Sequence, residues 1–473
     1  MKKIIFVSLI VVNFLPGFSQ DKLSYFCTYG FIYELSQQKS YGYNEPVILS
    51  VMPGTSAAEA GLQPNDIIVQ INGQTTKDTI IDKIDEWMHD VYIDQITLTI
   101  SNLKEIKEVV VQKKCYYSNM IPEKDLSGSY SFYSIEDVQK RAFVCPFKTT
   151  IDPDINLLTY KTFGFSKINE QYQELETAIN ESIKTELENK GLRYTGKNPD
   201  LIIYTYYSYS LNPNYRSKTK KEKLPNACRY NVYTKKMQYL PILDTPIHSA
   251  IQAEYTLQLG IRMASRQSKV VWECEANEWM KQSNYDLKDY AQFHIPLMLM
   301  QYPFTKSTDA AKFVFSTYKY NYTGLYYNLQ DMTQIIDIDE NSPASQAGIK
   351  KGDWISKIND IEANEDPKNA DARYKMFISE TMKLRDPRTQ FINAYGFARC
   401  AYWDKTKYPL VAKAFKNPEY QPVFSYLFYF EPYINPSKRN VLTFDVKRGK
   451  SKQKFHYTVR PEIREEQSFE TVK

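Results

Sequence analysis

One stretch of this chain occurs twice, and a repeat this detailed constrains both copies to the same local fold. The first copy, Pro53 to Gly73, reads PGTSAAEAGLQPNDIIVQING, and the second, Asn341 to Asp360, reads NSPASQAGIKKGDWISKIND. Ala57, Ala60, Gly61, Asp66, Ile68, Ile71 and Asn72 recur without a gap as Ala344, Ala347, Gly348, Asp353, Ile355, Ile358 and Asn359, a constant offset of 287 residues (344 minus 57). The pattern predicts a Ser or Thr capping one short helical turn whose Ala face packs closely, with Gly ending it in the left-handed region. Leu62 or Ile349 then plugs a core, and a positive φ at Asn65 or Gly352 leads into an alternating strand. In the first copy that strand closes at Asn72-Gly73, a dipeptide suited to a tight reversal.

The first residues point to export. Lys2 and Lys3 precede an apolar run from Ile4 to Leu15, long enough for a signal peptide and too short for a membrane span, and Gly17-Phe18-Ser19 supplies small residues for cleavage after Ser19. Residues 1–19 are therefore expected to be removed, leaving a soluble exported chain, periplasmic or extracellular, with no membrane span. Without Lys2 and Lys3 the formal charge of +5 falls to +3 (5 minus 2), too little to argue for nucleic acid or an anionic membrane. Six cysteines are spread thinly, with no Cys-x-x-Cys or other metal-ligand spacing. If one disulfide forms, the expected pair is Cys27 with Cys115, which bracket the first repeat-bearing module; buried free thiols are the open alternative.

The repeat, with what precedes it, resembles the PDZ domain in the arrangement found in bacterial envelope proteases, where the peptide-binding loop comes first in the module. That loop alternates apolar residues with Gly, and it occurs as Thr28-Tyr29-Gly30-Phe31 and as Tyr322-Thr323-Gly324-Leu325, with Thr323 departing from the apolar preference. The resemblance implies that the loop amides receive a terminal carboxylate while the next strand pairs with the ligand. On this basis the candidate peptide-binding residues are Thr28, Tyr29, Gly30, Phe31, Ile32, Tyr33, Ile84 and Trp87 in the first module. In the second they are Tyr322, Thr323, Gly324, Leu325 and Tyr326. Ile84 and Trp87 lie on a predicted helix, Asp78 to His89, that would form the groove's other wall.

Between the modules the pattern is mixed α and β. A strand at Leu157 to Phe165 precedes an amphipathic helix marked by Ile168, Tyr172, Leu175, Ile179, Ile183 and Leu187, with Gly191 as its stop. Asn198-Pro199-Asp200 turns into a strand, Leu201 to Ser208; a hairpin over Tyr255 to Ala276 and a helix over Asp286 to Gln301 follow. This order is similar to an uncharacterised family of small envelope lipoproteins, over roughly 150–304, although the lipid-modified Cys usual there is missing and 212–250 is an unusual insertion.

The fold class expected is thus multidomain α+β, with two PDZ-like, partly open β-barrels flanking a central sheet-and-helix domain. The boundaries are 24–115 for the first module, 125–318 for the central domain, 320–463 for the second module with a long insertion at about 362–439, and 464–473 as a tail. The insertion's aromatic stretch, Val423 to Phe430, is expected to be buried. The four histidines, His89, His248, His294 and His456, have no zinc or nucleophile context, and no phosphate or calcium loop is present. No cofactor, metal or catalytic residue is assigned. The leading reading is an exported non-catalytic adaptor or scaffold that binds C-termini or extended segments of envelope proteins. The alternatives are a regulatory subunit of an envelope protease and a hydrolase with an unrecognised centre in the central domain.

Overall fold

The computed structural model describes residues 25–472, apart from 53, 91, 130–139, 217–226, 232–235, 241–253, 281–286, 308–310, 364–371, 374–375, 378, 393–397, 416, 418, 421–422, 428–440 and 450–452. The expected signal peptide therefore lies outside the described residues. Among those residues no helix is long and apolar enough to cross a membrane.

The first module contains β1 (Tyr25–Thr28), β2 (Phe31–Leu35), β3 (Pro46–Val51), α1 (Ser56–Glu59), β4 (Ile67–Ile71), β5 (Gln74–Thr75), α2 (Ile81–Met88), β6 (Gln95–Ser101) and β7 (Ile106–Gln112). Its antiparallel sheet runs β2-β3-β4-β6-β7, with β5 on β4. Ile96, Leu98 and Ile100 alternate inward along β6, each wholly buried, against Ile48, Ile68, Ile84 and Val111. β8 (Lys114–Tyr117) leaves this sheet to pair with β1, with Cys27 opposite Cys115, and these two form the expected disulfide.

After two residues β8 is followed by β9 (Met120–Pro122) and α3 (Glu123–Ser129). The central domain contributes β10 (Lys140–Ile151), β11 (Thr162–Phe165), α4 (Gln173–Asn189), β12 (Arg193–Tyr194), β13 (Leu201–Leu211), a hairpin β14 (Ala227–Asn231) and β15 (Lys236–Leu240), β16 (Tyr255–Ser265), β17 (Val270–Met280), α5 (Leu287–Leu299) and β18 (Ala311–Tyr322). The expected strand at Leu157 begins only at Thr162, because residues 157–159 make one 3-10 turn capped by the Asn156 side chain. Ile179, Ile183 and Leu187 of α4 and Tyr290, Ile295 and Met298 of α5 bury the apolar face of the sheet.

The second module has β19 (Leu325–Asn328), β20 (Ile335–Ile338), α6 (Pro343–Ala347), β21 (Trp354–Ile358), β22 (Ile361–Glu362), β23 (Arg385–Ile392), β24 (Ala398–Trp403), α7 (Tyr408–Phe415), β25 (Leu442–Arg448) and β26 (Gln453–Val459), before β27 (Glu462–Val472). The expected tail, 464–473, is instead most of β27, which pairs with β18 over eleven residues as the edge of an eight-stranded sheet ordered β12-β11-β13-β16-β17-β10-β18-β27. The described sheets are open, not closed into barrels. Within the insertion, Val423 to Leu427 are buried as expected, with Phe377 and Trp403, on the core formed by Leu325, Ile349, Ile355 and Ile358; Phe428 to Phe430 lie outside the described residues.

The repeat's identities have matching structural causes in both copies. Ala57 and Ala344 are wholly buried. Gly61 and Gly348 have φ of 75° and 97°, and Asn72 and Asn359 of 50° and 49°. Asp66 and Asp353, both buried, each accept a hydrogen bond from the backbone three residues earlier, Gln63 N at 2.9 Å and Lys350 N at 2.9 Å. The capping expectation holds only in the second copy, where Ser342 Oγ accepts from Ser345 N at 3.3 Å; in the first, Thr55 Oγ1 donates instead to Met52 O at 2.6 Å.

The modules are not loosely strung. Tyr41, Val47, Ile67 and Leu103 of the first module belong to the central core, and the Gln38 side chain donates to Pro303 O at 2.8 Å while accepting from Thr305 N at 2.8 Å. Because the Cys27–Cys115 bond closes a separation of 88 residues, the chain-entropy model assigns it a large effect on the unfolded state. Replacing both cysteines by Ser is expected to lower stability by about 2–5 kcal/mol, measured by denaturant unfolding; an unchanged midpoint would show the bond to be dispensable.

Candidate peptide-binding grooves

In the first module Thr28, Tyr29, Gly30 and Phe31 form the turn between β1 and β2. Gly30 has φ 89° and accepts from Met52 N at 2.7 Å through its carbonyl, and a Cβ there would sit 2.3 Å from Thr55 Oγ1. Its N–H donates to Thr28 Oγ1 at 3.0 Å, so the amide is held by the loop's own hydroxyl. Tyr29 is buried under the Lys113 ammonium, 5.6 Å from its ring centroid. β2 is the last strand of its sheet, bonded to β3 on one side and to no other strand among the described residues. Phe31 turns into the core, whereas Ile32 is 42% exposed.

Helix α2 lies beside β2, and the two candidates on it differ. Ile84 is wholly buried in the module's core and cannot line a pocket; Trp87 is partly buried, packed on that core, with Lys83 Nζ 6.0 Å from its ring centroid. Asp85, not among the sequence candidates, joins α2 to β2: its Oδ1 accepts from Tyr33 Oη at 2.5 Å. Burial first, and the Asp85 carboxylate second, hold the Tyr33 phenol well above its ordinary pKa, so it stays a donor. A helical Asp among other charged residues carries no sequence signal for this role.

The second module arranges Tyr322, Thr323, Gly324 and Leu325 in the same way. Gly324 has φ 90°, and a Cβ there would lie 2.2 Å from Ser342, the counterpart of Thr55. Its groove, however, is filled by the chain itself. β9 pairs antiparallel with β19 on the edge away from β20, with Tyr326 opposite Pro122, Tyr327 opposite Ile121 and Asn328 opposite Met120. Glu123 then drives its carboxylate into the loop. Oε2 accepts from Thr323 N at 2.6 Å and Gly324 N at 3.0 Å, and Oε1 accepts from Thr323 Oγ1 at 2.5 Å and Tyr426 Oη at 3.3 Å. Of the five second-module candidates, Leu325 packs in the core, while Tyr322 and Tyr326 donate to Asp339 at 2.6 and 3.0 Å. Thr323, whose polarity departs from the loop pattern, is the one residue whose sequence hinted at this arrangement.

Glu123 is fully buried, and desolvation outweighs its hydrogen bonds, pushing its pKa from 4.5 up to about 7. Since the folded-state value is raised, the native chain keeps a proton that the unfolded chain releases, and stability falls as pH rises through this window.

With the grooves in view, comparison with known proteins gives the class. A family model described as PDZ domain matches residues 47–89, and one described as a domain of unknown function (DUF4136) matches 147–304. No curated protein matches. This is a PDZ-domain protein, carrying a protein–protein interaction module. More narrowly, a crystal structure of a PDZ domain protein from Parabacteroides distasonis is 43% identical, covers 95% of this chain and 100% of its own, and superposes with a TM-score of 0.73. The chain belongs to the same family as that protein. The HtrA3 PDZ domain bound to a phage-derived ligand (14% identity, 20% of this chain and 90% of that one, TM-score 0.18) and the PelC dodecamer from Paraburkholderia phytofirmans (13%, 33% and 96%, TM-score 0.19) also match, and nothing is built on either.

Relative to Glu123→Gln, the natural protein is expected to lose on the order of 3 kcal/mol of stability between pH 4.5 and pH 8. Chemical unfolding of both chains across that range is the check, and parallel stability profiles would contradict it.

Proposed function

We propose that the protein is an exported, non-catalytic adaptor or scaffold of a bacterial cell envelope, which captures C-termini or extended segments of other envelope proteins through its first groove. The observation that carries this reading is the edge of β2 beside the Gly30 loop, which pairs with no strand but β3 among the described residues, with Trp87 and the Tyr33–Asp85 pair beside it. An extended guest adds a strand to such an edge, so main-chain bonds supply affinity while side chains on the facing helix select sequence. Lys2, Lys3 and the apolar run after them support export.

In this reading the second copy is also a PDZ-type module, since it shares the repeat, the positive-φ Gly loop and the Ser342 or Thr55 packing beneath it. The central domain, similar to envelope lipoproteins, serves as the rigid body on which both modules are mounted.

A C-terminal peptide array probed with the mature protein should enrich a set of terminal sequences. Gly30→Asp, which forces a side chain against Thr55 at positive φ, should weaken the strongest of them at least tenfold. Uniform failure of the wild type to enrich any sequence would sink the adaptor reading.

A further inference from the structure

The occupant of the second groove is not a chain end. The main chain arrives as β9, turns at Glu123 and leaves the groove as α3, so a side-chain carboxylate does the work that a terminal carboxylate would do at such a loop. Three features hold the segment there. Ile121 is buried in the module's core, Leu126 anchors the departing helix, and Tyr426 from the insertion reaches the carboxylate from the far side. The two loops differ in one telling respect. In the first groove the Gly30 amide turns to the Thr28 hydroxyl, whereas in the second the equivalent Gly324 amide goes to Glu123.

We propose that the second groove is a binding site for an internal acidic strand, an apolar residue followed two positions later by glutamate, and that Met120–Glu123 is its resident ligand. The first groove is then the one left to partners. This inference rests on reading the second copy as a PDZ-type module.

The tether explains why the site is closed to competitors. Only Ser118 and Asn119 separate β9 from β8, and β8 is fixed to β1 by Cys27–Cys115. So short a link gives the segment a local concentration on the order of millimolar or more, and a free segment making the same contacts would have to exceed it.

The test uses the mature full-length protein carrying Gly30→Asp, which closes the first groove, so that failure here is separable from failure of the adaptor reading. The probe is a fluorescein-labelled peptide amide with the chain's own sequence, Ser-Asn-Met-Ile-Pro-Glu. Emptying the groove with Ile121→Asp and Glu123→Ala should allow this peptide to bind at least tenfold more tightly than to the protein with an intact segment, and a peptide ending in Gln amide should bind at least tenfold more weakly. Equal binding by plugged and emptied proteins, or by Glu and Gln peptides, would overturn the proposal. If the emptied protein loses its near-ultraviolet dichroism, hydrogen exchange on Glu123→Gln decides. The Thr323 and Gly324 amides should exchange at least tenfold faster than in the wild type, and unchanged protection would reject the assignment.

Discussion

A carboxylate removed from water must be given donors by the protein, and the Glu123 side chain receives five within hydrogen-bonding reach from two backbone amides, a threonine and two tyrosines. Much of the molecule is arranged around that requirement. The residues that meet it come from the Gly324 loop, from Tyr327 of β19 and from the insertion, while Glu123 itself comes from the segment joining the first module to the central domain. One buried side chain thereby registers four parts of the chain against each other. The desolvation it suffers is incompletely offset, which is why its acidity is weakened.

Much of this was legible in the sequence because the repeat encodes backbone conformation. Gly61, Asn72 and their counterparts take positive φ, and Ala57 and Ala344 allow close packing, so a few residues specify a turn of known shape. The Cys27–Cys115 pair followed from its position at the two ends of one module, and α4 from its apolar period. What was hidden lay between recognisable units. β9 is three residues long and has no period to read, and an acid in a linker looks like any solvated charge. β27 was taken for a tail because an edge strand carrying Glu462, Arg464, Glu465 and Glu466 lacks the apolar alternation of a central one; charge on an edge is how sheets avoid pairing with strangers. Ile84 sat at a helical position compatible with either face, and only packing decides between them.

The first groove illustrates the difference between a site's scaffold and its selectivity. Its loop and strand could be located from Gly30 and the alternation after it. The bond from Tyr33 to Asp85 crosses between elements some fifty residues apart and belongs to the tertiary structure alone. It sets a polar contact beside the exposed Ile32 and the partly buried Trp87.

The route of the backbone has a consequence for biosynthesis. β18 leaves the eight-stranded sheet to build the whole second module, and β27 comes back to lie directly alongside it, so neighbours in the sheet are separated by more than a hundred residues of sequence. β27 is also made only after the whole second module has been synthesised. The first module, complete by Tyr117, has its residues available early, whereas the central sheet gains its border only after the second module has been made. A prematurely terminated chain would present β18 as a bare edge, inviting association with other chains.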